Sequence, residues 1–158
     1  MIDADRILTD RLGELTAGPG AERLHKLYTT LRRIDGRLAV VMHDNPDPDA
    51  IASALGVARV AGSIGVDADA CYFGSISHQE NRAMVNLLEL DLVNLDDGDE
   101  VRSEYGGVAL VDHSRSGVND GLSADTPVDI VIDHHPPRAS VEVDFVDLRH
   151  DIGATSTL

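Results

Sequence analysis

The sequence Val40-Val41-Met42-His43-Asp44-Asn45-Pro46-Asp47-Pro48-Asp49-Ala50-Ile51 changes character at its histidine. Before the histidine lies a short, β-branched apolar run that is typical of a buried strand. After it comes a loop that two prolines stiffen, followed by apolar residues at helical spacing. The pattern predicts a strand, a loop rich in potential metal ligands, and a helix.

Strands and helices alternate in the same way along the rest of the chain. Apolar runs predict strands over 38–42, 69–73, 92–95, 108–111, 128–132 and 141–146, and helical spacing predicts helices over 3–16, from Leu24 to a stop at Gly36, over 50–64 and after 77. Such alternation indicates an α/β fold, with a parallel sheet of about five strands flanked by helices and preceded by two N-terminal helices. We expect residues 1–36 to form a helical extension and residues 37–158 to form the main domain.

Two local patterns predict helix starts. Ser77 and Glu80 have the spacing of a capping box, and Gly153-Ala154-Thr155-Ser156 resembles a turn that opens a helix. The N–H groups at the second of these starts could bind a phosphate.

Three predicted strands end in an acid or a histidine, at His43, Asp112 and Asp133. Because the carboxyl ends of parallel strands share one edge of the sheet, these side chains should converge there. With their neighbours they form the set His43, Asp47, Asp49, Asp112, Asp133, His134 and His135. Carboxylates this close repel one another unless cations intervene, and mixed oxygen and imidazole donors suit manganese, iron, zinc or cobalt.

Each of these residues also has an ordinary structural interpretation. Asp47 or Asp49 alone could cap a turn or helix, Asp112 could cap a strand, and the two histidines could be loop residues. Their joint occurrence at three strand ends favours a metal site. The remaining histidines, His25, His78 and His150, lack this context, and we interpret them as surface or packing residues.

The motifs together resemble those of the DHH phosphoesterase superfamily. Asp133-His134-His135 after an apolar strand matches the motif that names the superfamily, and residues 43–51 are similar to its first motif. Val111-Asp112-His113 resembles the second motif, and residues 153–156 resemble the fourth. The order of the four motifs agrees over residues 38–158, and the resemblance implies a Rossmann-like domain.

The resemblance also implies a centre that holds two Mn²⁺ ions, with Mg²⁺ or Co²⁺ as alternatives. Carried over by motif, one ion would bind His43, Asp47 and Asp112, and the other Asp49, Asp112 and His134, so that Asp112 bridges. Three residues would have catalytic roles: His135 would contact the substrate phosphate, Asp133 would orient the histidines, and Asn45 would lie beside them, as would His113.

The chain departs from the superfamily pattern in two respects. Members usually carry a further aspartate ligand after the fourth motif, and many carry a second, C-terminal domain that supplies basic residues. Neither occurs in residues 1–158, so we expect this chain to be a piece of the catalytic half of a longer protein. The departure leaves open whether the piece is active alone and whether it binds both metals.

The implied function is hydrolysis of nucleotide phosphodiester bonds, in short oligonucleotides, single-stranded DNA or cyclic dinucleotides, by a water that two metals activate. Residues 75–82, before a Leu-rich helix, resemble RecJ-like exonucleases and enzymes that degrade nanoRNA. Two alternatives remain, namely a manganese-dependent inorganic pyrophosphatase and a non-catalytic module that senses a nucleotide. A nucleotide or oligonucleotide is the expected partner, with a homodimer as a further possibility.

The net charge of −15, with Lys26 as the only lysine, argues against a broad nucleic-acid-binding surface and suggests a halophilic protein. Cys71 lies in an apolar stretch and is interpreted as a core residue. The sequence shows no secretory signal and no apolar run of the roughly 18 residues that a membrane span needs. We therefore expect a cytoplasmic protein with no membrane contact.

Overall fold

A computed structural model describes residues 19–95, 101–136 and 141–158 of the chain. Within these residues the strands are β1 (Leu38–Val41), β2 (Ala68–Phe73), β3 (Val93–Leu95), β4 (Gly107–Val111), β5 (Ile130–Asp133) and β6 (Phe145–Leu148). All pair in parallel, in the order β3-β2-β1-β4-β5-β6. The predicted α/β class with a parallel, helix-flanked sheet is confirmed, with six strands instead of about five.

Four α-helices occur in the described residues, namely α1 (Pro19–Leu31), α2 (Pro48–Ser63), α3 (Gln79–Leu87) and α4 (Val101–Glu104). A 3₁₀ turn, Thr155–Thr157, follows the last strand. Across these residues no helix has the combination of length and apolar character that a membrane crossing needs.

The central strands are buried on both faces, because each face packs against a separate apolar cluster. On one face Leu38 and Val40 pack in a cluster with residues of α2, such as Ile51. On the other face Ala39 and Val41 belong to a second cluster that includes residues of α4 and of the loop after β4. Coverage of both faces explains why the strands are continuous apolar runs.

Strand β1 lies in the middle of the sheet, between β2 and β4. From β1 the chain first extends the sheet through β2 and β3, and then returns to the other side of β1 to add β4, β5 and β6. The reversal produces a crevice outside the carboxyl ends of β1 and β4, which is where open α/β sheets bind ligands. The first predicted ligand, His43, follows β1, and Asp112 follows β4.

Several local predictions differ from the structure. The last strand is Phe145–Leu148 and not 141–146, and α1 ends at Leu31, five residues before Gly36. The segment after Gly153 forms a 3₁₀ turn and not an α-helix within the described residues. The short helix α4 was not predicted. The predicted helix at 3–16 lies outside the described residues.

Helix α1 packs onto the sheet, since Leu31 is fully buried within the first cluster. The proposed boundary between an extension (1–36) and the main domain (37–158) remains a prediction.

Candidate metal centre

Asp112 lies at the middle of the crevice, with 4% of its surface exposed. Its backbone N–H donates to the Ile132 carbonyl at 3.0 Å, which ties the end of β4 to β5. The residue has a positive φ of 62°, a conformation that few non-glycine residues adopt. This backbone turn directs the chain away from the sheet directly after β4.

The two oxygens of Asp112 face different imidazoles. Oδ2 lies 3.5 Å from Nε2 of His43, and Oδ1 lies 3.5 Å from Nε2 of His134. Thr155 also donates its hydroxyl proton to Oδ1 at 2.8 Å. Asp112 is therefore the residue through which the two sides of the crevice are joined.

On the first side, His43 is oriented by its own loop. Its Nδ1 lies 2.9 Å from the Asp44 carbonyl, which leaves Nε2 directed at Asp112. The hydrogen bond with Asp112 raises the pKa of His43 to about 9, against the opposing effect of partial burial. Burial acts to raise the pKa of Asp112, but hydrogen bonds from His43 and Thr155 outweigh it and hold that pKa below its usual value.

The second side is formed by the residues that follow β5. The Asp133 carboxylate accepts two hydrogen bonds from His135, from the backbone N–H at 3.0 Å and from Nδ1 at 2.8 Å. The rings of His134 and His135 lie with their centroids 4.4 Å apart. His135 remains more than half exposed, whereas Asp133 is buried. Asp133 thus fixes the orientation of a histidine that solvent can reach.

Asp47 and Asp49 occupy different positions although they are two residues apart. Asp47 is the N-cap of α2, and its Oδ1 accepts from the N–H groups of Asp49 and Ala50 at 2.9 and 3.0 Å. Asp49 accepts from the backbone N–H groups of Thr155 and Ser156, both at 2.8 Å. These are the N–H groups that were expected to bind a phosphate, and that expectation was wrong because the Asp49 carboxylate occupies them.

Two groups of side chains place their donor atoms close enough to hold a cation, with all donor atoms of a group within 4.8 Å of one another. One group contains His43, Asp47 and Asp112, and the other contains Asp112, His134 and His135. Asp49 belongs to neither group, but its Oδ2 lies 3.7 Å from Nε2 of His134. Carboxylate and imidazole donors that share one crevice fit Mn²⁺ or a similar divalent ion.

A family model described as the DHH family, N-terminal domain, matches residues 37–158. The match begins one residue before β1 and includes the strands and crevice side chains described above. The chain belongs to the DHH family.

Two relatives of this DHH chain come from very different organisms. An uncharacterised protein of Methanocaldococcus jannaschii is 39% identical over 140 residues, which are 88% of this chain and 28% of the relative. A probable manganese-dependent inorganic pyrophosphatase of Enterococcus faecalis is 29% identical over 126 residues, which are 77% of this chain and 39% of the relative. The chain therefore spans less than half of either protein.

Asn45 of the DHH domain lies next to the crevice but points toward a neighbouring loop. Its Oδ1 accepts from both the N–H and the hydroxyl of Ser77, each at 2.7 Å. Ser77 therefore does not form the predicted capping box, and the N-cap of α3 is His78, which makes no capping bond through its side chain. Asn45 instead joins the loop after β1 to the loop after β2.

Two residues beside the crevice were not predicted from the sequence to contact the candidate residues. The sequence placed Thr155 in a predicted helix start and in the fourth motif, with no role for its hydroxyl, which contacts Asp112. Asp120 is completely buried, and its Oδ2 lies 3.1 Å from Nε2 of His113. Its Oδ1 accepts from the backbone N–H groups of Gly117 and Leu122 at 2.8 and 3.0 Å. Because the other His113 nitrogen faces the Val111 carbonyl at 2.9 Å, His113 and Asp120 together hold the loop after β4. In the sequence, the residues Asn119, Asp120 and Gly121 indicated a turn here, but not the contact between Asp120 and His113.

Proposed function

We propose that this DHH domain provides the metal centre of a phosphoester hydrolase that acts on nucleotide phosphodiester bonds. The observation that supports it best is the position of Asp112, whose two oxygens face His43 on one side and His134 on the other. A carboxylate in this position can serve two cation sites at once. The proposed ions are two Mn²⁺, with Mg²⁺ or Co²⁺ as alternatives.

Each side of the crevice supplies its own donors to this proposal. His43 and Asp47 would complete one site with Asp112, and Asp49 and His134 would complete the other. Divalent ions bound there would lower the pKa of a water and neutralise charge on a phosphoryl oxygen.

His135 is proposed as the residue that contacts the substrate phosphate. Its ring is exposed enough to be reached, and Asp133 holds Nδ1 by a hydrogen bond of 2.8 Å. With Nδ1 engaged, Nε2 is the ring nitrogen free to face a phosphate. A carboxylate partner of this kind fixes the tautomer and the orientation of the ring. Asn45 is proposed to act beside it, by keeping the loop of Ser77 against the crevice.

The alternative within the family is a manganese-dependent inorganic pyrophosphatase. The name of the Enterococcus faecalis relative favours it, and the proposed metal ligands would serve either reaction. A third proposal is a module that binds a nucleotide without cleaving it, which the partial coverage of both relatives keeps open.

The deciding experiment supplies the full-length protein with Mn²⁺ and offers pyrophosphate, a short oligonucleotide and a cyclic dinucleotide in parallel. We expect nucleoside monophosphates to appear from the oligonucleotide or the cyclic dinucleotide, and chelation to stop their release. Phosphate released from pyrophosphate alone would replace the proposal by the pyrophosphatase. Tight nucleotide binding without any product would favour the sensing module.

Localisation in the cytoplasm, a homodimeric state, a second domain after Leu158 and adaptation to salt remain predictions.

A further inference from the structure

A cavity of about 370 Å³ lies between the carboxyl end of β2 and helix α3, on the same edge of the sheet as the metal centre. Its lining consists of Tyr72, Gly74, Ser75, Ile76, Arg82, Val85, Asn86 and Asn94. The volume is at the lower end of the roughly 300–1,000 Å³ that small-molecule pockets occupy. The metal chemistry described above uses none of these side chains.

We propose that this cavity holds the nucleoside part of a nucleotide substrate whose phosphate lies at the metal centre. The inference rests on the proposed function, because it specifies what is attached to the phosphate. It names Tyr72, Arg82 and Asn86 as residues that determine specificity and that do not take part in the chemistry.

The lining combines the groups that a nucleoside needs. The Tyr72 ring supplies an aromatic face on which a base can stack, and Ile76 and Val85 add apolar surface around it. The amides of Asn86 and Asn94, both exposed, offer donors and acceptors to the edge of a base or to ribose hydroxyls. Inorganic pyrophosphate has neither an aromatic nor an apolar part and would leave this surface unused.

The cavity is joined directly to the metal centre through one loop. Ser75 and Ile76 line the cavity, and the next residue, Ser77, is bonded twice to Asn45, which lies between His43 and Asp47 in the sequence. A ligand that reaches from the cavity past this loop therefore arrives at the first metal group.

Side chains of helix α3 and strand β3 hold this loop and the neighbouring metal loop in position. Arg82 donates from Nη1 to the carbonyls of Ile76 and Ser77 at 3.1 and 2.8 Å, and Asn94 donates to the Gly74 carbonyl at 3.0 Å. Asn81 of α3 donates to the Pro46 carbonyl at 3.1 Å, which connects the same helix to the loop after β1. These hydrogen bonds hold the cavity wall and the loop after β1, which carries His43 and Asp47, in a fixed relative position.

Charge supports the same orientation of the ligand. The chain has 13 lysines and arginines against 28 aspartates and glutamates, so cationic side chains are in the minority. Arg82 is such a side chain, and within the described residues only its Nη1 is engaged in hydrogen bonds. Its other guanidinium donors can face a phosphate or a sugar oxygen at the inner end of the cavity.

The test compares the binding of adenosine 5′-monophosphate and of inorganic phosphate to the full-length protein with Mn²⁺, by calorimetry. We expect the nucleotide to bind at least about tenfold more tightly, since stacking of a single base on an aromatic ring supplies a gain of this size. Tyr72→Leu should reduce the nucleotide affinity about tenfold, and Asn86→Ala should reduce it severalfold, while phosphate affinity stays unchanged.

Leu87→Ala is the matched control, because Leu87 follows Asn86 on α3, is 82% exposed and does not line the cavity. Asn86 is exposed, so its variant remains informative even if Tyr72→Leu unfolds. Equal affinities for nucleotide and phosphate, or variants that weaken both ligands alike, would overturn the inference. Failure of the proposed function would look different, since the protein would then prefer the nucleotide but hydrolyse no phosphoester.

Discussion

Thr155 donates its hydroxyl proton to Oδ1 of Asp112 at 2.8 Å, although 43 residues separate the two in the sequence. The neighbouring backbone N–H groups of Thr155 and Ser156 hold Asp49 in the same way. A single 3₁₀ turn therefore orients two proposed metal ligands, one from the end of β4 and one from the start of α2. The turn contacts the side chains of these proposed ligands, and it is not itself proposed to bind the ions.

Thr155→Val should weaken metal binding about 10- to 100-fold, because a partner that orients a ligand usually contributes this much to affinity. The variant keeps the shape and the backbone N–H to Asp49 but removes the hydroxyl. Thr155→Ser should restore most of the affinity. Calorimetric titration with Mn²⁺ measures both. Thr157→Val serves as a control because, among the residues that the structure describes, the Thr157 hydroxyl donates to the Ala154 carbonyl and to no proposed ligand. Equal affinity of Thr155→Val and the unmodified protein would contradict this role.

Asp112→Asn should abolish the binding of two metal ions, since an amide offers one neutral oxygen where two anionic oxygens face the two sides of the crevice. The stoichiometry of Mn²⁺ gives the result directly. Asp91→Asn, an exposed aspartate between α3 and β3, makes the same chemical change elsewhere and should leave the stoichiometry intact. Two ions still bound by Asp112→Asn would remove the bridging assignment.

His135→Ala should leave the metal stoichiometry unchanged and lower kcat by about 10²-fold or more, as expected for loss of a group that stabilises charge on a phosphoryl oxygen. The geometry also allows His135 to be a ligand, because it can place a donor atom within 4.8 Å of donor atoms of Asp112 and His134. Metal titration and steady-state kinetics on the same variant separate these roles. Loss of one bound ion would make His135 a ligand, and an unchanged kcat would exclude it from the reaction.

Mn²⁺ affinity should increase as the pH rises from 7 toward 9. The hydrogen bond with Asp112 raises the pKa of His43 to about 9, so the ring holds a proton below that pH and must release it before it can bind a cation. The same proton stabilises the metal-free fold: this contribution is complete below the unfolded pKa of about 6.5 and is lost as the pH rises through about 9. Both trends can be measured, by calorimetry and by thermal unfolding with a chelator.

His43→Gln should flatten both pH profiles, because the titrating group is gone. His150→Gln changes an exposed histidine outside the crevice and should reproduce the unmodified profiles. A pH-dependent Mn²⁺ affinity that persists in His43→Gln would assign the proton to another group.

Gly121→Ala should destabilise the domain by about 2–4 kcal/mol, as a sum of backbone strain and overpacking. Gly121 has a φ of 69°, and an added Cβ would lie 2.3 Å from Cγ of Phe73, which is buried. Gly56→Ala, in the middle of α2 with open space around it, should instead be neutral or stabilising by up to about 1 kcal/mol. Denaturant unfolding compares the two, and a loss below about 1 kcal/mol for Gly121→Ala would show that the loop adapts.

The strand ends illustrate how far sequence analysis reaches. His43, Asp112 and Asp133 were expected at one edge because a parallel sheet places its carboxyl ends together, and the structure does bring them there. The side chains Asp47, Asp49, His134 and His135 follow from the same rule, since each lies within a few residues of such an end. Their roles toward metal and substrate remain proposals.

Other features could not be predicted, for identifiable reasons. The strand 141–146 was misplaced because alternating apolar residues begin at Val141 and Val143, before the true strand, and pairing with β5 selects Phe145–Leu148. The capping box at Ser77 failed because Asn45, 32 residues earlier, accepts from the Ser77 hydroxyl and from its N–H. In both cases a distant partner outweighs a local pattern.

Donor chemistry and the order of motifs were readable from the chain alone, because they are properties of residue types and of their spacing along strands and loops. The sheet order, with β1 between β2 and β4, could be read only from the tertiary structure. The same holds for the pairing of each Asp112 oxygen with a different imidazole, and for the hydrogen bond to Asp49 from the N–H of Thr155, 106 residues away. These relationships depend on which strands become neighbours and on how loops pass over the sheet. The strand order and the loop paths are selected together, because both faces of the sheet must be buried.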